Sequence, residues 1–311
     1  MLKYVAHRIA LTFPILTLVI VITFTLGFYA PGDPVRAMYG ERELNPETLA
    51  RLRQQYGLDR PYPVQLADFA LKLTRGDFGR SIVLNRPVGE VMARALPISA
   101  QIGLAALVVT MAAGIPLGIL CAVKQNSWID YTILFVAIAL ASIPVFVLAP
   151  LLMIALILHL QLIPSTVGWA GLFSEKAILP VVTLAMPSLL SFIRYTRASV
   201  LEVLSQDYIR TARAKGLPQR LIVTRHIVKN SMTPVLTAAG LSVPYLITGS
   251  IFLENIFGIP GFGKLVVDSL QSYDYPMILG TTIVVALLVM ATNLITDLLY
   301  GVLDPRVRLH E

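Results

Sequence analysis

Apolar residues in this chain fall in long runs, not in the alternating or one-faced patterns of a water-soluble fold. A helix crosses the hydrocarbon of a bilayer with roughly 20 mostly apolar residues. Six stretches reach or approach that length: 9–30, 98–123, 131–158, 177–193, 235–253 and 277–296. The fourth and fifth are shorter and hold Pro180, Pro187 and Pro244. Proline is tolerated in membrane helices because neighbouring helices satisfy the backbone groups it frees. The first stretch exceeds the apolar core of a signal peptide and no small-residue cleavage site follows it, so it reads as a retained anchor.

Two polar segments interrupt the runs. Within 31–97 the pattern predicts helices near 45–56 and 64–73, and Asn45 before Pro46 is a good helix start. Within 194–233, Leu201, Leu204, Tyr208 and Ala212 recur at spacings of three and four, which predicts a helix over 201–215. Gly216 can then take the left-handed conformation that ends a helix. Pro218 suits the first turn of a second helix, with Leu221, Thr224 and Val228 on one side. The segment therefore reads as a helix–glycine–helix elbow. The plainer reading is a charged loop that merely fixes orientation.

Composition supports the membrane class. The 311 residues are 56% hydrophobic and 14% charged, whereas a soluble domain carries about 25% charged residues. Mean hydropathy is +0.74. One cysteine excludes an internal disulfide framework and a cysteine-based zinc site, and His7, His159, His226 and His310 show no ligand spacing. Charge then orients the chain. Segment 194–233 carries a net +6, Lys3 and Arg8 precede the first run, and Arg306 and Arg308 follow the last. An even number of spans puts all three on one side, and the positive-inside rule makes it the cytoplasm. Segment 31–97, at net +2, is then extracytoplasmic, and long segments are largely exempt from that rule.

Two stretches imitate catalytic motifs. Gly258 to Leu265 matches a phosphate-binding loop at both glycines and at Lys264, but Leu265 stands where Ser or Thr must ligate magnesium and no strand precedes it. A glycine-rich turn explains it better. Ser242, two residues after Gly240, suggests an intramembrane protease, yet a nucleophile needs a base within reach, and a small residue at a helix contact is the simpler account. Asn293, Thr296 and Asp297 share a helix face. An acid within a span is a candidate functional group, but Asp297 lies toward the cytoplasmic end, and Asn293 and Asp297 read as helix-packing residues. Arg194 and Arg197 read as interfacial anchors that snorkel.

The segment DYIRTARAKG at 207–216, continuing through His226 and Asn230 to Pro234, resembles the cytoplasmic signature of inner-membrane permeases in ATP-binding-cassette importers, and more narrowly their dipeptide/oligopeptide/nickel branch. Other pieces agree in order along the chain: PGDP at 31–34, GDFG at 76–79 followed by Arg80 and Ser81, IFGIPG at 256–261, and YGVLDPR at 300–306. The broader signature has Glu-Ala-Ala where Arg210, Thr211 and Ala212 stand, a departure common in the peptide branch.

The resemblance implies an all-α, polytopic integral membrane protein with six transmembrane helices and the type I importer permease fold. It implies a first helix plus extracytoplasmic insertion over 1–94 (the insertion being 31–94), a five-helix transmembrane domain over 95–304 with its coupling loop at 194–233, and a cytoplasmic tail at 305–311. The implied partners are a second homologous permease, two cytoplasmic ATPase subunits and an extracytoplasmic solute-binding protein, with no nucleic acid. The implied location is the cytoplasmic membrane of a bacterium or archaeon. The chain itself would be non-catalytic and hold no cofactor or metal, ATP and magnesium being bound by the partner ATPases. Coupling would run through Asp207, Tyr208, Arg210, Thr211, Ala212, Arg213, Ala214, Lys215 and Gly216. Short peptides are the expected solute, with nickel or a nickel chelate the alternative. A secondary transporter driven by an ion gradient would need ionisable groups at the midplane, and internal duplication is typical of that class. Here Asp297 stands almost alone.

Overall fold

The computed structural model describes residues 2–29, 45–55, 57–163 and 167–303, with side chains described except at 2–12, 52, 55, 241, 243–249 and 296–303. The PGDP motif at 31–34, the DPR end of YGVLDPR, the basic tail, and the side chains of 296–303, Thr296 and Asp297 among them, lie outside these described residues.

The described chain is helical: α1 (Leu2–Tyr29), α2 (Pro46–Gln55), α3 (Tyr62–Thr74), α4 (Val88–Val123), α5 (Trp128–Ala141), α6 (Val145–Met153), α7 (Glu175–Leu204), α8 (Asp207–Ala214), α9 (Lys229–Ile256), α10 (Phe262–Gln271) and α11 (Tyr275–Leu303). Two wide π-helical stretches, Ile154–His159 and Ile222–Val228, continue α6 and lead into α9. All six apolar runs are helical where described, except for a break at 142–144. Among the described residues, Val88–Val123, Glu175–Leu204 and Tyr275–Ile295 are long and apolar enough to cross a membrane. The run at 131–158 is not one straight span. It is α5 and α6 with its π continuation, bent by 100° at 142–144. Pro144 causes the break: it disfavours helical backbone in the residue before it and supplies no N–H to the ladder.

The chain forms two compact units, Met1–Ser99 with Pro260–Ala291, and Ala100–Ile259 with Thr292–Glu311. In the first, α3 is started by Pro61 at its cap and Pro63 in its first turn. Its aromatic face meets α1, with Phe24 5.4 Å from Phe69, Phe28 5.2 Å from Tyr62, and Thr25 Oγ1 2.7 Å from the Tyr62 hydroxyl. The GDFG motif is a turn: Gly76 and Gly79 take φ of 73° and 82°, and the Gly79 N–H donates to Asp77 Oδ1 at 2.8 Å. It delivers Ser81 to Asp274, a buried residue just before α11. Asp274 also accepts from the N–H groups of Ile82, Val83 and Met277. Val88, Met92, Ala95, Phe262 and Met277 form the adjacent core.

In the second unit α7 is the hub. Gly114 and Gly118 on α4 let that helix approach it closely: a Cβ on Gly118 would stand 2.6 Å from Thr196 Cβ and 2.8 Å from the Ile193 carbonyl oxygen. Removing side chains at four-residue spacing is how helices come close where water offers no drive to pack them.

Candidate coupling elbow

The expected elbow is present, with its parts differently arranged. No helix runs unbroken from 201 to 215. Leu201 and Leu204 close α7, the chain turns at Ser205, Gln206 is extended with ψ 146°, and α8 begins at Asp207. That break rotates the inward face. Ile209 and Ala212 are buried, while Tyr208 is 42% exposed. A single helical count through the break could not find Ile209.

Gly216 ends α8 as its sequence position demands, with φ +72°. The Leu217 N–H donates to the Ala212 carbonyl at 3.3 Å and the Gly216 N–H to that of Arg213 at 2.9 Å. This is the paired closure of a left-handed helix cap, and Leu217 packs against the buried cluster that includes Ala212. Pro218 then opens the second arm, as expected, with Leu221 and Ile222 N–H groups donating to its carbonyl at 2.9 and 3.2 Å. The buried side of that arm is Ile222 and Ile227, not Leu221, Thr224 and Val228. The reason is the π-helical winding over Ile222–Val228. Its wider turn stacks residues about five apart, whereas the expected face assumed 3.6 per turn.

These inward residues share one core. Ile209, Ala212, Ile222 and Ile227 pack with Ala122 of α4 and Val200 and Val203 of α7. Ser199 Oγ donates to the Ser231 carbonyl at 2.9 Å, and Asn230 Nδ2 to the Tyr208 hydroxyl at 3.3 Å. The elbow is thus seated on the ends of three long helices. Asp207, Tyr208, Arg210, Thr211, Arg213, Ala214, Lys215 and Gly216 are left exposed. Arg210 and Asp207 pair at 3.5 Å with both side chains largely in solvent, a contact worth little. Of the nine expected coupling residues, only Ala212 faces inward.

A charge pair braces the hub behind the elbow. Arg197 does not snorkel: its Nε and Nη2 donate to Asp130 Oδ1 and Oδ2 at 2.9 and 2.7 Å, and Asp130 is almost fully buried. Asp130 also accepts from the Asn126 N–H at 3.1 Å. Arg194 is exposed, as is Asn293. The two imitated motifs dissolve. Helix α9, not a strand, precedes Gly258, whose φ of +64° and bonds to the end of α9 repeat the cap seen at Gly216. The Ser242 hydroxyl donates to the Ala238 carbonyl of its own helix at 2.7 Å.

The model of the family described as binding-protein-dependent transport system inner membrane component matches residues 114–309, and the model for the N-terminal part of such membrane components matches 1–102. The chain belongs to this family. The oligopeptide transport system permease protein OppB of Salmonella typhimurium is 40% identical over 309 residues, spanning 99% of this chain and 100% of that protein. The dipeptide transport system permease protein DppB of Escherichia coli K12 is 36% identical over 336 residues, spanning 99% of each. Among solved structures, a chain of the MetNI methionine ABC transporter in an inward-facing conformation superposes with a TM-score of 0.54 at 18% identity, over 67% of this chain and 96% of that one, a likeness of fold. The chain is accordingly a multi-pass membrane component of the ABC importer permease fold, and the elbow lies within the matched residues.

Proposed function

We propose that this binding-protein-dependent transport component is a permease subunit of an ATP-driven importer of di- and oligopeptides. One observation carries the reading: a rigidly seated helical elbow, its outer face free, in a chain 40% identical along its length to an oligopeptide permease. Two relatives with peptide transport in their names set peptides ahead of nickel chelates.

In this reading the subunit is non-catalytic and pairs with a second homologous permease. Two cytoplasmic ATPases bind ATP and magnesium, and a separate extracytoplasmic binding protein delivers the solute. The exposed residues from Asp207 to Gly216 dock on an ATPase, and Ala212 holds that docking surface to the helices. ATPase closure draws the elbows together, and a rigid elbow transmits the motion to its helices. Residues 1–94 form the added anchor and insertion, 95–304 the five-helix unit and 305–311 a cytoplasmic tail. Six spans in a bacterial or archaeal cytoplasmic membrane put both ends inside, as the charge distribution favours. Asp297 serves helix packing, and Asn293, exposed in this chain, would do so only against a neighbouring subunit.

Uptake of labelled dipeptides, tripeptides and radioactive nickel in cells with and without the gene tests the substrate. Loss of peptide uptake alone is expected. Loss of nickel uptake with peptide uptake intact would reverse the assignment. A reporter fused after Leu58 tests the topology and should be active only outside the cytoplasm.

A further inference from the structure

We propose that a hydroxyl-lined hollow between α7 and α9 binds the main chain of the peptide in transit, a step that rests on the peptide-importer reading above. The hollow has a volume of about 370 Å³ and is lined by Pro187, Ser188, Ser191, Phe192, Tyr195 and, across on α9, Ala238 and Ser242. That size lies within the range of small-ligand sites. Ser188, Ser191 and Tyr195 follow one another at spacings of three and four, so they share one face of α7.

Their hydroxyls differ from those elsewhere in the chain that bond back to their own helix. Ser142, Thr183, Ser242, Thr281 and Thr282 each donate to a carbonyl four residues back on their own helix, at 2.7–2.8 Å. Among the described residues, none is hydrogen-bonded to the hydroxyl of Ser188, Ser191 or Tyr195. Ser191 is exposed, and Tyr195 is 54% exposed. Three uncommitted hydroxyls would be costly against lipid tails, because an unpaired polar group gains nothing there. A second hollow in the same unit, of about 580 Å³, is instead walled mainly by apolar side chains such as Leu104, Val108, Phe173 and Ile178.

The chemistry selects the ligand. A hydroxyl both donates and accepts, which matches the alternating N–H and C=O groups of a peptide backbone. Among the described residues no charged side chain lines the hollow, so these side chains carry no preference for acidic or basic peptides. From Pro187 to Tyr195 the face runs about 12 Å along the helix axis, room for roughly three extended residues. The Ser242 hydroxyl, its proton committed to Ala238, can still accept from an amide on the opposite wall.

The test compares two peptides, trialanine and its amide-N-methylated analogue, taken up by cells carrying the complete transporter with this gene replaced on the chromosome. Wild type should favour trialanine. The variant Ser188→Ala/Ser191→Ala/Tyr195→Phe, at equal membrane abundance, should take up trialanine roughly tenfold more slowly, as expected for a few lost hydrogen bonds. It should also lose most of the preference over the analogue. Comparing that preference between wild type and variant cancels any effect of methylation on the binding protein. Tyr195→Phe alone removes one oxygen atom and should move the preference in the same direction, which guards against a triple variant that fails to assemble. Uptake by wild type with an unchanged preference in both variants overturns the hollow and leaves the importer reading standing. No trialanine uptake by wild type overturns both.

Discussion

Asp130 grips Arg197 by both carboxylate oxygens, at 2.9 and 2.7 Å, across 67 positions of sequence. Asp130 sits at the first turn of α5, where Ser127 caps the helix, and Arg197 lies about two turns before the end of α7. The pair ties the turn between α4 and α5 to the helix that carries the elbow.

Removing the acid strands a guanidinium in a largely desolvated place. Asp130→Asn should destabilise the protein by about 3 kcal/mol, the cost of breaking a buried pair from one side. Arg197→Lys keeps the charge but loses the two-pronged geometry and should fall between. Asp130→Asn combined with Arg197→Met should recover part of the loss, because the double variant leaves no charge without its partner. Thermal unfolding in detergent reads all three. Equal stability of Asp130→Asn and wild type would mean the pair braces nothing.

Gly118 and Thr196 make the second contact of this hub. A methyl group on Gly118 meets backbone as well as side chain, the Ile193 oxygen at 2.8 Å, so the helices must separate. Gly118→Ala should cost about 1–3 kcal/mol. The Thr196 hydroxyl is buried without a hydrogen-bond partner among the described residues. Thr196→Val, of similar shape, should therefore raise stability by about 1 kcal/mol. A fall in melting temperature for Thr196→Val would reveal a partner for that hydroxyl.

In the other unit, Asp274 gathers four donors, the Ser81 hydroxyl and three backbone N–H groups. An amide in its place would turn its own N–H₂ toward some of those donors. Asp274→Asn should loosen the turn at 81–84 and cost about 2 kcal/mol, the scale of hydrogen bonds to a charged acceptor. Limited proteolysis of the detergent-purified protein should cut the variant faster between 75 and 87. An unchanged cleavage rate would show that the turn holds without the carboxylate.

The membrane class was legible in the sequence because the length of an apolar run is set by bilayer thickness alone. The cap at Gly216 was legible because only local chemistry decides it: a glycine after a helical pattern and a proline two residues on. The inward faces of the elbow were not. Finding Ile209 requires knowing that the chain breaks at 205–206, and finding Ile227 requires knowing that the second arm is wound as a π-helix. Both follow from seating two arms on one core. The role of Arg197 was hidden for a similar reason, since its partner is on another helix and no spacing rule relates them. Pro144 did offer a signal for the 100° bend, overridden by the apolar run around it.

Gly216 gives the sharpest test of coupling. Its φ is +72°, and nothing lies within 4 Å of where a Cβ would be. A substitution there therefore strains the backbone without a clash, so its effect reports the shape of the turn. Gly216→Val should cost about 1–2 kcal/mol in this left-handed conformation. The site lies outside the spans, so the variant should still insert and accumulate in the membrane. An elbow that must fit a preformed ATPase groove is less forgiving, because a tilt of α8 displaces every exposed residue from Asp207 to Lys215 at once. Gly216→Val should weaken copurification of the ATPases or lower the solute imported per ATP hydrolysed. Gly216→Asn should be close to wild type, since asparagine tolerates the conformation. Lys229→Ala removes a charge of the same segment without touching the turn and should do much less. Normal copurification and a wild-type transport ratio for Gly216→Val would show that the elbow is not the element through which the ATPases act.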